Sequence, residues 1–456
     1  MHMRRFPQLI TRRIWPHPHE RMIQHRSWHS QVRKGDTVYV GMSGGVDSSV
    51  TALLLQQQGL HVEGVFMRNW DTRDERGECP SERDWRDVQR VCRQLDMKCH
   101  EVNLVKEYWN SVFSVALDEY QHGRTPNPDV LCNKEIKFGV LLREIARRLG
   151  DAWFATGHYA RAVRKGSGEM ALLRGVDERK DQSYYLSAVS SRQLDRVLFP
   201  LGGLRKAEDV RALAQQAGLA TAQKEESMGI CFVGERRRFD EFLAEYLPQV
   251  PGDIVSSEGK KLGTHSGLFT KTIGQSAGIS GWQEKWYVYA KDIASNRMYA
   301  AQNRNNPLLY THQLTAGPAH WISSEHPLPG EMHGLEAQIR YMQKPQRCSV
   351  LNGSSKLTVT FDNPQFGVAT GQYLVFMPQG LATLAPIAQT GSNADVLTIE
   401  ERDGMVEQAE LGFRMFLQET GSRTGYVLYP STRQIIKALH VLYKVLDDID
   451  FSNVFE

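Results

Sequence analysis

At 456 residues, 41% hydrophobic and 23% charged, the chain is long enough for about two to four domains with buried cores. No run reaches the roughly 18 to 20 apolar residues of a membrane-crossing helix. The six Cys form neither a CxxC pair nor a zinc-like Cys/His spacing, which disfavours a disulfide framework or structural zinc and leaves them as expected free thiols in a reducing compartment.

Charge is unevenly placed along the chain. The formal net charge is +3, yet the first 34 residues carry Arg4, Arg5, Arg12, Arg13, Arg21, Arg26, Arg33 and Lys34 against Glu20 alone, so the remainder is slightly acidic. An Arg-rich, acid-poor leader has the composition of a mitochondrial transit peptide, which places the mature chain in the matrix; a disordered basic tail or an RNA-binding arm are the alternatives. Bulk charge beyond the leader does not announce a nucleic-acid binder, so any RNA contact must rest on local clusters.

The first structured unit reads strand, glycine turn, helix. Thr37–Val40 is a short apolar strand, a helix runs from about Ser48 to Gln58 with Val50, Leu53 and Leu54 on one face, and Gly59 stops it. Between them stands Gly41-Met42-Ser43-Gly44-Gly45-Val46-Asp47-Ser48. Glycines there let backbone N–H groups approach an anion, and the helix start adds its partial positive charge. The Gly-Lys-Ser/Thr ending of a Walker A loop is missing. Ser-Gly-Gly-x-Asp-Ser instead resembles the PP-loop of ATP pyrophosphatases, which retain the pyrophosphate of ATP and adenylate a carbonyl oxygen.

Strand-like and helix-like segments then alternate. His61–Met67 reads as a strand, Ser81 as the N-cap of a helix with Trp85, Val88, Val91, Cys92 and Leu95 inward, and 99–104 as a third strand. A helix follows with Trp109, Val112, Phe113, Ala116, Leu117 and Tyr120 inward, then a Pro-broken loop at Thr125-Pro126-Asn127-Pro128, a helix from about Glu135 to Leu149, and the strand Trp153–Thr156. This alternation predicts an α/β fold with a doubly wound parallel sheet, whose ligands bind beyond the carboxyl ends of the strands. The loop after Gly41, Met67, Asp129 and Gly157 would all lie at that edge.

The expected domains are a leader over 1–34, a catalytic domain over 35–222, a small mixed α/β domain over 223–309, a β-barrel over 310–390 and an extension over 391–456. Arg347–Leu351 and Lys356–Phe361, joined by Asn352-Gly353-Ser354-Ser355, read as a hairpin of that barrel, and Thr432–Leu446 has helical periodicity.

Two Cys have surroundings suited to reactivity. Cys132 stands just ahead of the predicted helix beside Lys134 and Lys137, where a helix start and ammonium groups favour thiolate. Cys231 lies between Gly229 and Gly234 with Arg236 to Arg238 following. Cys92 reads as a buried apolar residue. Asp129 is either an acid/base group or the N-cap of the following helix.

Taken in order, the loop motif and the segments 66–70, 123–139, 155–161, 180–186, 229–236 and 272–275 resemble the tRNA-specific 2-thiouridylase family over about residues 35–376. The resemblance implies ATP-dependent 2-thiolation of a wobble uridine in tRNAs for Lys, Glu and Gln, with Asp129 as acid/base or base-positioning group, Cys132 as nucleophile and Cys231 as persulfide carrier able to close a disulfide with it. It implies that Gly41 through Ser48, Met67 and Gly157 hold ATP, with Mg2+ as counter-ion. Asn127, Pro128 and Asp129 would meet the target base, and His158, Lys180, Asp181, Gln182, Arg340, Tyr341 and Gln372 the tRNA. A cysteine desulfurase or another persulfide carrier is the implied sulfur-donor partner, and a monomer without membrane attachment is expected. Competing readings are another PP-loop adenylating ligase or amidase, and a silent tRNA-binding protein. One departure is Leu381-Ala382-Thr383-Leu384-Ala385, where the family carries a glycine run, so the last barrel strand is expected to pack differently.

Overall fold

The computed structural model describes residues 32–71, 79–150, 152–225, 239–322, 330–353 and 356–377, and the backbone of 383–390. Most of the basic leader, Cys231 and the predicted helix near the carboxyl terminus lie outside the described residues.

β1 (Thr37–Met42), β2 (His61–Arg68), β3 (Cys99–Asn103) and β4 (Trp153–Thr156) are followed by a hairpin, β5 (Ala160–Arg164) with β6 (Met170–Arg174), and by the short β7 (Val197–Leu198). The sheet runs β3-β2-β1-β4-β7 with every pairing parallel. Helices cross over between the strands: α1 (Val46–Gln57), α2 (Pro80–Gln94), α3 over 105–121 and α4 over 128–149, with α5 over 206–216 after β7. Val38, Val40, Val65 and Ala155 are fully buried because helices cover both faces of the sheet.

Three local expectations change. Pro80 opens α2 with Cys79 at the N-cap position, so Ser81 lies in the first turn and its hydroxyl donates to the Trp70 carbonyl instead of capping. Pro128 likewise takes the first turn of α4, where a missing N–H costs nothing; the Pro-broken loop therefore ends at Asn127, and the helix begins several residues before Glu135. Trp109 is 37% exposed, stacked on Trp70 at 5.7 Å and not inward like Val112 and Phe113. Both α3 and α4 contain π-helical turns, Trp109–Phe113 and Cys132–Val140.

The central domain pairs β8 (Gly252–Val255), β9 (Lys261–His265), β10 (Trp286–Asp292) and β11 (Arg297–Gln302) in the order β10-β11-β8-β9. The third domain is a closed barrel of β12 (Tyr310–Ala316), β13 (Gly330–Gln338), β14 (Gln346–Asn352), β15 (Leu357–Phe366), β16 (Tyr373–Phe376) and β17 (Thr383–Thr390). β14 and β15 form the predicted hairpin. β17 pairs antiparallel with β16 and β12, so the departing sequence still closes the barrel.

Candidate active site at the carboxyl edge of the parallel sheet

Strand order reverses between β1 and β4, the switch point where α/β sheets open a crevice for ligands. Two turns meet there, 41–45 after β1 and 157–159 after β4. A Cβ on Gly157 would stand 2.9 Å from the Asp47 carbonyl carbon and the Ser48 nitrogen, so only glycine lets this turn approach the start of α1. Gly44 has φ +74° with its back against α2, where a Cβ would lie 2.7 Å from the Asp84 carbonyl oxygen.

The loop is braced from within. Ser43 N–H donates to the Ser48 hydroxyl (3.2 Å), Ser48 Oγ donates to the Gly45 carbonyl (3.2 Å), and Gly45 N–H donates to Ser43 Oγ (3.4 Å). Ser43 is exposed, and no side chain caps the first turn of α1 at Gly45. Uncapped amides on a glycine-rich turn at a helix start fit a phosphate group.

Two lysines fix this loop. Lys206, at the start of α5 and 7% exposed, places Nζ 2.9 Å from Asp47 Oδ2, while Tyr159 donates its hydroxyl to Asp47 Oδ1 at 2.8 Å. Lys224 Nζ donates to the Gly44 carbonyl (3.1 Å), Asp84 (2.9 Å) and Asp87 (2.7 Å), tying loop to α2. Burial alone would lower the Lys224 pKa, but the two carboxylates outweigh it and raise the ammonium above its ordinary value.

Beside the switch point, α4 carries Asp129 in its first turn and Cys132 one turn further. Asn127 occupies the N-cap position, so Asp129 is not the cap. Burial pushes the Asp129 carboxyl above the usual carboxylate range against the opposing pull of Lys137. His158 stays neutral: burial, then the charge of Lys137, drive it well below its ordinary value. Its Nδ1 meets the Thr156 hydroxyl at 2.7 Å, and its ring packs on Phe138 (6.0 Å) and Phe199 (6.1 Å). The charge of Lys137 is thus felt both by Asp129 on α4 and by His158 in the 157–159 turn.

The tRNA methyl transferase HUP-domain family matches residues 36–235, the tRNA methyl transferase PRC-barrel domain 240–302, and the aminomethyltransferase β-barrel domain 311–381. The tRNA-specific 2-thiouridylase MnmA of Methylococcus capsulatus is 48% identical over 365 residues, 78% of this chain and 97% of that protein. The chain belongs to the tRNA-specific 2-thiouridylase family. The namesake proteins of Bacillus subtilis (48% identity, 75% of this chain, 92% of that one) and Pseudomonas paraeruginosa (48%, 75% and 91%) are similarly close.

In this 2-thiouridylase chain the sequence-predicted site residues fall into three groups. Gly41 through Ser48, Gly157 and His158 meet at the switch point, with Met67 at the end of β2. Asn127, Pro128, Asp129 and Cys132 stand together on the first turns of α4. Cys132, expected ahead of the helix, is inside it and 2% exposed, held among apolar neighbours including Val130 and Ile136, so a solvent-facing thiolate is not what the fold presents. The barrel supplies the third group. Gln372 Nε2 donates to the Thr125 carbonyl (2.9 Å), Tyr341 packs on Tyr185 at 4.3 Å, and Arg340 donates to the Phe366 carbonyl at 2.7 Å.

The segment 180–182 is more structural than expected. Asp181 is 7% exposed and accepts from Arg174, Gly175 N–H and the Ser183 N–H and hydroxyl, so its carboxylate holds the turn after β6. Gln182 Oε1 accepts from Tyr159 N–H at 3.0 Å and steadies the 157–159 turn, while Lys180 stays partly exposed. Sequence reasoning missed Lys206, Tyr159 and Lys224. The one hint was Lys206 lying four and seven residues before Val210 and Leu213, on the inward face of α5.

Proposed function

We propose that this chain performs ATP-dependent 2-thiolation of the wobble uridine of mitochondrial tRNAs for Lys, Glu and Gln, by adenylation of the uridine 2-oxygen and sulfur transfer from a cysteine persulfide. Family membership carries the coarser part: the chain is a tRNA-uridine 2-sulfurtransferase. The observation that supports the rest is the glycine-rich turn at the start of α1, its amides uncapped by any side chain and packed against Gly157 at the switch point of the sheet, which fits the phosphates of ATP.

The roles follow from position. Amides of 43–48 and the start of α1 take phosphate oxygens, and Asp47 is neutralised by Lys206, which limits its repulsion of an anion. Bound ATP supplies AMP as the leaving group that the uridine oxygen lacks, with Mg2+ as its counter-ion. Among the described residues no cluster of three or more His, Cys, Asp or Glu could hold a metal, so the ion would ride on the phosphates. Asp129, its carboxyl pushed above the usual carboxylate range by burial, takes the proton from or orients the base. Cys231, loaded as a persulfide by a cysteine desulfurase or another carrier, presents the outer sulfur. The Cys132 thiolate attacks the inner sulfur, hydrosulfide leaves and adds at uridine C2, and a Cys132–Cys231 disulfide remains for a thiol reductant to open. The Arg-rich leader supports the mitochondrial address.

The test is mass spectrometry of nucleosides from mitochondrial tRNA in cells carrying only Cys132→Ser or only Cys231→Ser. Loss of 2-thiouridine in each is expected; thiolation retained in both overturns the reading.

A further inference from the structure

A cavity of about 440 Å3 opens where α3 of the catalytic domain meets the end of the central domain, and the reading above does not use it. Its size falls within the ~300–1,000 Å3 of small-ligand pockets. Tyr120, Phe239 and Phe269 line it, with the Tyr120 and Phe239 rings edge to face at 5.7 Å. Asp240, Thr270, Lys271, Thr272, Gln275 and Ser276 complete the lining, which therefore carries one carboxylate as well as one cation. Gln275 Oε1 accepts from Thr272 N–H at 2.8 Å, which fixes the amide and leaves its NH2 as the donor at the cavity. The half-buried Phe239 ring, backed by the buried Tyr120 and Phe269, stands with one cation and one oriented amide and suits an unpaired nucleotide: a base to stack, an edge to read and a phosphate to neutralise.

The cavity also adjoins the chemistry. Tyr120 feels the charge of Asp129, which adds to burial in raising its phenol. Thr125, two residues before Asn127, donates its hydroxyl to Thr272 at 3.3 Å. A nucleotide seated here would thus lie one step along the strand from a base held at Asp129.

We propose that this cavity receives the nucleotide flanking the modified uridine, its base against Phe239 and its phosphate at Lys271. The proposal rests on tRNA being the substrate. Its test measures binding of the full chain to an anticodon stem-loop RNA, intact or abasic at the position on either side of the target, by fluorescence anisotropy across salt concentrations. One flanking abasic RNA should bind on the order of tenfold more weakly. Phe239→Leu and the exposed-rim variant Gln275→Ala should weaken intact RNA and add little further loss with that abasic RNA. Lys271→Ala should reduce the salt slope of the affinity by about 0.7. UMP and AMP alone should fail to compete at concentrations that saturate a mononucleotide site; competition would reassign the cavity to a free nucleotide and overturn the proposal. Binding that ignores both flanking bases, or losses that simply add, would overturn it while leaving the thiolation reading intact. A wild-type chain that binds no anticodon RNA would overturn both.

Discussion

Asp129 sits in two opposing fields: burial favours its neutral form, and Lys137 favours the carboxylate. Because its folded pKa is raised above the unfolded value near 3.9, the native state favours its protonated form. That contribution is complete at low pH and is lost as pH rises through the folded pKa, so at pH 7 to 8 the ionised side chain costs stability. Asp129→Asn is therefore expected to abolish thiolation yet raise Tm at pH 7 to 8 by roughly 1–3 °C, with the gain shrinking as pH falls toward 4. Calorimetry across that range checks it; a Tm lowered at every pH would mean the carboxylate makes bonds worth more than its burial. Asp129 and the loop residues were legible because their chemistry is contiguous in the chain. Lys206 and Lys224 were not, since each finds its partner 159 and 180 residues away from Asp47 and Gly44.

At the scale of elements, period and punctuation located β1, β2, β3 and β4 to within a residue or two, because buried parallel strands must be apolar. The starts of α2 and α4 were displaced because proline breaks a helix interior but suits its first turn, and composition alone does not say which applies. That displacement moved Cys132 from just ahead of the helix to within α4, where it is buried. The meeting of β4 with α1 is a backbone contact at Gly157 with no side-chain signal. Gly157→Ala forces its Cβ against main-chain atoms of Asp47 and Ser48 that have little room to move. The expected cost is about 1–3 kcal/mol in unfolding free energy, together with a raised KM for ATP. Denaturant titration and ATP kinetics measure the two; a wild-type KM in the variant would show that the turn and the anion loop act separately.

Across the whole molecule, the barrel grips the segment before Asn127 in the catalytic domain. Thr125 N–H donates to the Thr370 carbonyl (2.8 Å), Gln372 donates to the Thr125 carbonyl, and Tyr184 donates its hydroxyl to the Tyr373 carbonyl (2.7 Å). Gln372→Ala removes one such bond, a loss of about 0.5–1.5 kcal/mol. It is expected to raise KM for tRNA roughly two- to tenfold while leaving KM for ATP unchanged, because the anion loop is held by Lys206, Tyr159 and Lys224 and not by the barrel. An ATP KM that rises in parallel would contradict that division. The sequence by itself determined the α/β class, the glycine-rich turn between β1 and α1 and the barrel hairpin, since each is written in local spacing. Only the tertiary structure decided which lysines clamp the loop, that Cys132 is buried, that Asp181 faces inward and that the barrel holds the segment before Asn127. Those facts depend on which distant residues share a surface, and burial and pairing are set by that surface and not by the neighbours in the chain.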